Sequence, residues 1–420
     1  MLSFRIIKVV LFAYLFLSLA GEVRSEAFLN ATPKTCISQL SLEDFLAIGL
    51  SLNPEVAKID RDYADGLARA IETEVLGNPE LSIEKTFTNT DLGRDDDPQT
   101  NLSIGQPLKL SDFGAKSRVA KLLRRSESLN KRVQLLELSL KLIMQYSQLY
   151  ALQRVDEILT DAESRSAKKV SLIKKGVIKG LFTLGDEKLF EGEMYRLQAE
   201  RKGVAASILK LQQELSDQLN LKCLVVASQI KPFAELPEVA ILVERARQSE
   251  LSEVNRVSLT NQLSQESQRL AELDIYQVTP KFIYQHTNDG GDFYGAGFTI
   301  PLPVWNRNQG QQLRTTAEQK LSIQKKQTLS GQRLEVQIAN YREVAENLRE
   351  QAEIFKDKVI PSFEAALASQ ERLYAEGKGN ILQVWQTLRA LYEAQTQGLM
   401  LWSNVISIRS ELSILIGEAL

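Results

Sequence analysis

Leu135-Leu136-Glu137-Leu138-Ser139-Leu140-Lys141-Leu142-Ile143-Met144-Gln145-Tyr146-Ser147-Gln148-Leu149-Tyr150-Ala151-Leu152 is the middle of a stretch, 114–174, that contains no proline. Leu136, Leu140, Ile143, Leu149 and Leu152 recur at three- and four-residue spacing, the period of a helix with one apolar stripe. A helix of about 60 residues spans on the order of 90 Å. That is far beyond an ordinary globular domain, so it belongs to a rod, a bundle or a tunnel. The C-terminal stretch carries a second stripe through Ile381, Val384, Trp385, Leu388, Leu391, Tyr392, Leu399, Trp402 and Ile406. Both stripes read as core or coiled-coil seam and need no further role.

Comparing the chain with itself shows a repeat. Pro79 and Pro280 open short alternating stretches, Pro107 and Pro301 close them, and Gly176 and Gly377 follow the long helical stretches, at offsets of 201, 194 and 201. Each half therefore reads helix, strand, loop, strand, very long helix, glycine turn, helix. The expected division is a first repeat over 26–225 and a second over 226–420. The first helix begins near Ser41, with Asp44 three residues on as a loose capping box, and breaks at Asn53-Pro54. The next is expected over about 54–76. In the second half, Pro361 should bend or restart the long arm.

The strand stretches are short. In Tyr294-Gly295-Ala296-Gly297-Phe298-Thr299-Ile300 the alternate positions are Tyr, Ala, Phe and Ile, with glycine or threonine between them. Leu81, Ile83 and Phe87 likewise alternate with Glu80, Ser82 and Glu84, and Asn101-Leu102-Ser103-Ile104 begins the same way. One apolar face and one small or polar face is the pattern of a transmembrane barrel strand. A soluble hairpin also gives it. Four such strands cannot close a barrel alone, but several protomers can share one. No later stretch is long and apolar enough for a membrane-spanning helix.

Composition excludes other classes. Net charge is −2, with 51 Lys and Arg against 53 Asp and Glu spread along the chain, so nothing marks a phosphate-binding surface for nucleic acid. Arg5 and Lys8 precede an apolar run, 9–20, followed by small residues, which reads as a secretory signal peptide over 1–25. His286 is the sole histidine and Cys36 and Cys223 the only cysteines, so no soft-metal site, catalytic triad or cofactor site is visible. In an oxidising compartment Cys36 and Cys223 would either pair, tying the halves together, or stay free, since spacing alone does not fix their distance.

Four segments resemble the TolC-type outer-membrane efflux family, over nearly everything after the signal peptide. They are Ser41-Leu42-Glu43-Asp44-Phe45-Leu46, Ser51-Leu52-Asn53-Pro54-Glu55-Val56, Asn78-Pro79-Glu80-Leu81 and Pro301-Leu302-Pro303-Val304-Trp305-Asn306-Arg307-Asn308-Gln309-Gly310. The last is the most specific and looks most like the heavy-metal branch, which serves cobalt–zinc–cadmium and copper–silver pumps. The resemblance implies a mainly α fold with a small β part. Long antiparallel helices form a tunnel across the periplasm, and a homotrimer shares a twelve-stranded barrel in outer-membrane lipid. It implies a passive duct and no enzyme, working with a periplasmic adaptor and an inner-membrane pump of the RND type. The glycine turns 175–180, with Gly176, Val177 and Gly180, and 376–380, with Gly377 and Lys378, match the helix tips that would meet the adaptor. Gln383 and Gln386 stand where drug-efflux members carry an acidic gate ring, so fixed charge is missing there. Heavy-metal cations are the expected cargo. Drug efflux, protein secretion through the same duct, and a periplasmic coiled-coil scaffold without a pore are the alternatives.

Overall fold

The computed structural model describes residues 39–86, 99–221, 224–228, 230, 235–287, 290–302, 308–329 and 332–419. Signal peptide, Cys36, Cys223, Phe87 and the 303–307 part of the strand exit lie outside the described residues. Ser41 starts helix α1 (Leu42–Leu52) as expected: its Oγ accepts the Asp44 N–H at 3.1 Å and donates to the Asp44 carboxylate at 2.7 Å. Asn53 ends α1 and caps α2 (Pro54–Glu74), accepting the Glu55 N–H at 2.9 Å, with Pro54 where no N–H is needed.

Strands β1 (Glu80–Thr86) and β2 (Gln99–Gly105) follow, then the short β3 (Leu108–Lys109) and a 3₁₀ turn at Leu110–Asp112. Helix α3 then runs unbroken from Ala115 to Ile178, 64 residues, or about 95 Å at 1.5 Å per residue. It returns as α4 (Leu184–Gln218). The second half repeats the order: α5 (Val239–Gln248), α6 (Glu253–Leu273), β4 (Gln277–Thr287), β5 (Asp292–Thr299), then helical segments and a closing helix. Here the described helical segments of the long arm are α7 (Gln309–Leu329), α8 (Gln332–Ile354) and α9 (Ile360–Ala375), before α10 (Ile381–Ile416).

Pro361 acts as its chemistry requires, though the arm does not stop. It has no N–H and its ring would press on a carbonyl one turn back. The chain answers with a π-helical turn at Phe355–Val359, in which the Ile360 N–H reaches the Phe355 carbonyl, five residues back. Gly398 of α10 faces this turn, where an added Cβ would make an ordinary contact with the Phe355 Cβ at 3.5 Å.

The sheet order is β1-β2-β4-β5, all antiparallel, with β3 added to β4. Among the described residues β1 pairs only β2, and β5 only β4, so both outer edges are open. Leu81, Ile83, Ile104, Phe282, Tyr294 and Phe298 are all more than half exposed on this sheet. The helices are packed differently. Buried positions Val155, Leu159, Ala162, Ser166, Val170 and Ile173 of α3 keep a three–four spacing, the seam of a coiled coil. The core is thus divided into small clusters, two formed within the second half alone and three strung along α3. One surrounds Phe45, Tyr146 and Leu215, the next Leu159, Leu197 and Tyr392, the next Ile173, Phe190 and Trp385.

The first cluster holds the start of the described chain against the segment joining the two halves. Leu40 and Ala227 form a parallel bridge, and between them lies the fully buried Tyr146. Its hydroxyl donates to the Leu40 carbonyl at 2.7 Å and accepts the Ser228 N–H at 3.0 Å. Tyr146→Phe keeps the ring and removes both bonds, while the Ser228 N–H still donates to the Leu40 carbonyl at 3.1 Å, so it should destabilise by about 0.5–1.5 kcal/mol. The check is the denaturation midpoint of the purified protein; an unchanged midpoint would show that the hydroxyl carries nothing.

Candidate functional site

The two helix reversals lie together at one end of the bundle. At the first, the Gly180 N–H bonds the Val177 carbonyl at 3.0 Å and the Leu181 N–H bonds the Gly176 carbonyl at 2.9 Å. At the second, the Gly377 N–H bonds Tyr374 and the Lys378 N–H bonds Leu373, each at 3.0 Å. Both are Schellman turns, which need a left-handed residue just past the helix. Gly180 (φ 75°) and Gly377 (φ 73°) supply it.

This corrects the role assigned to Gly176. It does not turn the chain; it lies buried in the last turn of α3. A Cβ there would sit 2.3 Å from the Phe182 ring, so its bareness seats that ring. The offset of 201 aligned the wrong pair, and the turn glycines are Gly180 and Gly377.

Beyond each reversal the next helix is capped. Thr183 and Asp186 form a reciprocal capping box at 3.1 and 2.9 Å, and the Asn380 side chain accepts the Leu382 N–H at 2.9 Å. The reversals share one cluster, in which Val177, Phe182 and Tyr374 pack on buried Ile173, Phe190, Ile381 and Trp385. Phe190 and Trp385 meet edge to face, centroids 4.9 Å apart. Val177 is half-buried there, while Gly377 and Lys378 are exposed, Lys378 pairing with Glu376 at 3.2 Å. Ile178, Leu181 and Leu184 stand out apolar and exposed at the first reversal, Ile178 at 86%. The sequence reading passed over them, although apolar residues crowding a glycine turn were the signal.

Gln383 and Gln386 share the exposed face of α10, opposite buried Ile381, Val384, Trp385 and Leu388. Polar ties cross from α3 and α4 to the second-half helices. Lys169 reaches Glu371 at 2.9 Å, Arg196 donates to the Tyr392 hydroxyl at 3.0 Å, and Arg389 stands 3.7 Å from Glu193. Among the described residues no three His, Cys, Asp or Glu side chains gather to hold a metal ion. His286 lies far along the chain on β4, its Nδ1 2.8 Å from the Asp292 carboxylate.

No family model matches the chain, and no curated protein matches it in sequence. Solved structures do. The outer membrane protein VceC from Vibrio cholerae superposes with a TM-score of 0.69 at 17% identity, over 90% of this chain and 96% of that one. CusC, whose structures concern folding and transmembrane channel formation, gives 0.71 at 14% identity, over 90% and 92%. The fold is that of the outer-membrane channel proteins. The Campylobacter jejuni CmeC outer membrane channel agrees, with 0.69 at 10% identity over 90% and 85%. Identities this low carry the channel fold and leave the chain's cargo and partners to its own residues.

Near the first reversal Glu191 lies between Lys174 and Lys188, at 2.6 and 2.7 Å. Their hydrogen bonds hold its carboxyl at about 2, against 4.5 for a free glutamate. A lowered folded value contributes stability that is present above 4.5 and lost as pH falls through about 2. The two pairs should therefore survive at pH 4 and break only near pH 2. Following the Glu191 carboxyl by NMR checks this, and a midpoint near 4.5 would show that the pairs do not form.

Proposed function

We propose that this chain is the outer-membrane channel of a tripartite efflux system, a passive duct rather than an enzyme. The observation that carries the proposal is the sheet. It has two open edges and an exposed apolar face, and it is joined to helices too long for a globular domain. In hydrocarbon every backbone N–H and C=O must be paired, so open edges are tolerable only if the sheet closes. With four long strands per chain, three copies give a twelve-stranded barrel, within the range of known outer-membrane barrels. On this reading 1–25 is the export signal, and 26–225 and 226–420 are two structural repeats contributing two strands each.

The same reading sets the helices in the periplasm, with the reversals at Gly180 and Gly377 pointing away from the membrane. Gly176, Val177, Gly377 and Lys378 belong to the end offered to an adaptor, which links the duct to an inner-membrane pump of the RND type. The exposed Ile178, Leu181 and Leu184 support this, because an apolar patch at a chain reversal gains from being covered. Gln383 and Gln386 are the proposed gate. Amides carry no fixed charge, so the gate should pass ions with little preference for sign. Heavy-metal cations are the proposed cargo, on the strength of the strand exit 301–310. Metal choice would then reside in the pump.

Two measurements test this. In outer-membrane fractions the protein should run as a trimer that heat converts to monomer; a soluble periplasmic rod would sink the proposal and favour the scaffold. A deletion strain should be sensitive to metal salts and not to unrelated drugs, and the reverse pattern would remove the metal cargo while leaving the duct. For the gate, Gln383→Glu with Gln386→Glu would set six carboxylates in a trimer around the opening. In planar bilayers under a salt gradient the reversal potential should move toward cation preference. No movement would place the narrowest point elsewhere.

A further inference from the structure

Residues directly opposite in an antiparallel sheet share a face, so the register sorts the strands into rows. From the helix end upward, Val278 lies opposite Leu108, then Pro280 opposite Phe298. Phe282 follows, beside Ile104 and Ala296, with Leu81 beyond Ile104. Tyr284 stands beside Leu102 and Tyr294, with Ile83 beyond Leu102. The next row on this face is His286, Thr100, Asp292 and Lys85. Among the described residues the apolar face therefore stops between Tyr284 and His286. The Tyr284 and Tyr294 rings meet there, centroids 5.3 Å apart. Aromatic rings followed by an ionic row mark the outer boundary of lipid contact on a barrel.

Tyr284 lies six residue steps beyond Val278. At roughly 3.4 Å per residue that is about 20 Å along the strand, and about 15 Å of height once the strands tilt by roughly 40°. The apolar band of a membrane barrel is about 25 Å tall. The strands fall short by on the order of 10 Å, and with the upper boundary set by the ionic row, the shortfall lies at the helix end.

That end holds an apolar hollow of about 640 Å³, continuous with the strand rows through Val278 and Ile300. Leu110, Phe113, Tyr276 and Leu302 line it from outside the long strands, Phe113 and Leu302 at 75% and 78% exposure. Charges nearby are paired: Lys109 with Asp274 at 2.7 Å, and Lys116 with Asp112 at 2.6 Å. We propose that this collar completes the lipid band. Acyl chains of the helix-side leaflet fill the hollow, Phe113 and Leu302 sit in hydrocarbon, and the Lys109 and Lys116 pairs lie at headgroup level. The inference rests on the barrel reading above. A neighbouring copy is the competing occupant. The height favours lipid, because covering the collar with protein would leave hydrocarbon facing charged rows at both ends.

The test uses the full-length protein reconstituted in phosphatidylcholine vesicles with bromine on the acyl chains, which quenches tryptophan on contact. Phe113→Trp, Leu302→Trp and Tyr294→Trp are each read against the wild-type background. Emission of all three added tryptophans should be lost relative to unbrominated vesicles. Quenching of Tyr294→Trp with neither collar variant quenched overturns the collar, points to a neighbouring copy over it, and leaves the barrel standing. If none of the three is quenched, the barrel reading fails and the collar with it. Either collar variant suffices if the other does not fold.

Discussion

Backbone pairing at the edges of β1 and β5 is the constraint on which the remaining structure depends. Each strand has one neighbour among the described residues, and no described strand pairs with its other side. In water such edges invite aggregation and proteins cover or charge them. Here they belong to a sheet whose exposed rows are Leu81, Ile83, Ile104, Phe282 and Phe298. An apolar face with bare edges is unstable in water and in lipid alike unless the edges meet. On the proposed reading, closure among copies would satisfy both demands together and make the oligomer a condition of folding rather than an addition to a finished protomer.

The helices meet a different demand. A rod 64 residues long has too much surface for one central core. It is held by clusters placed one after another along α3, each made by a three–four stripe meeting its neighbours. Polar ties such as Lys169–Glu371 and Arg196–Tyr392 join the two halves between or beside these clusters. Each is a single, partly buried contact, so the ties set register more than they hold the rod together. The clusters built on Tyr146 and on Phe190–Trp385 anchor it.

The sequence disclosed what local chemistry decides. Ser41 with Asp44, Asn53-Pro54, the proline-free run of α3 and the alternation at 294–300 are each complete within a few residues, and each was readable. What depended on alignment or on distant partners was not. Gly176 matched Gly377 by offset, yet the left-handed positions are Gly180 and Gly377, because the seat for the Phe182 ring placed another glycine one turn earlier. Pro361 signalled a break but not that a π-turn would absorb it. The hollow beside Phe113 is assembled from the 3₁₀ turn, β4 and the end of β5, three segments that no window of sequence contains.

The two halves share an order of elements but not a helical geometry. In the first, α3 is one continuous helix from the sheet to the reversal. In the second, a π-turn separates α8 from α9, and α9 rests on α10 through Leu367, Val384, Leu388 and Leu391. That turn sits where Pro361 removes an N–H from the helix ladder. The arm leading to the second reversal thus absorbs a proline that α3 does not contain, and the proposed gate residues Gln383 and Gln386 lie on the helix against which it packs.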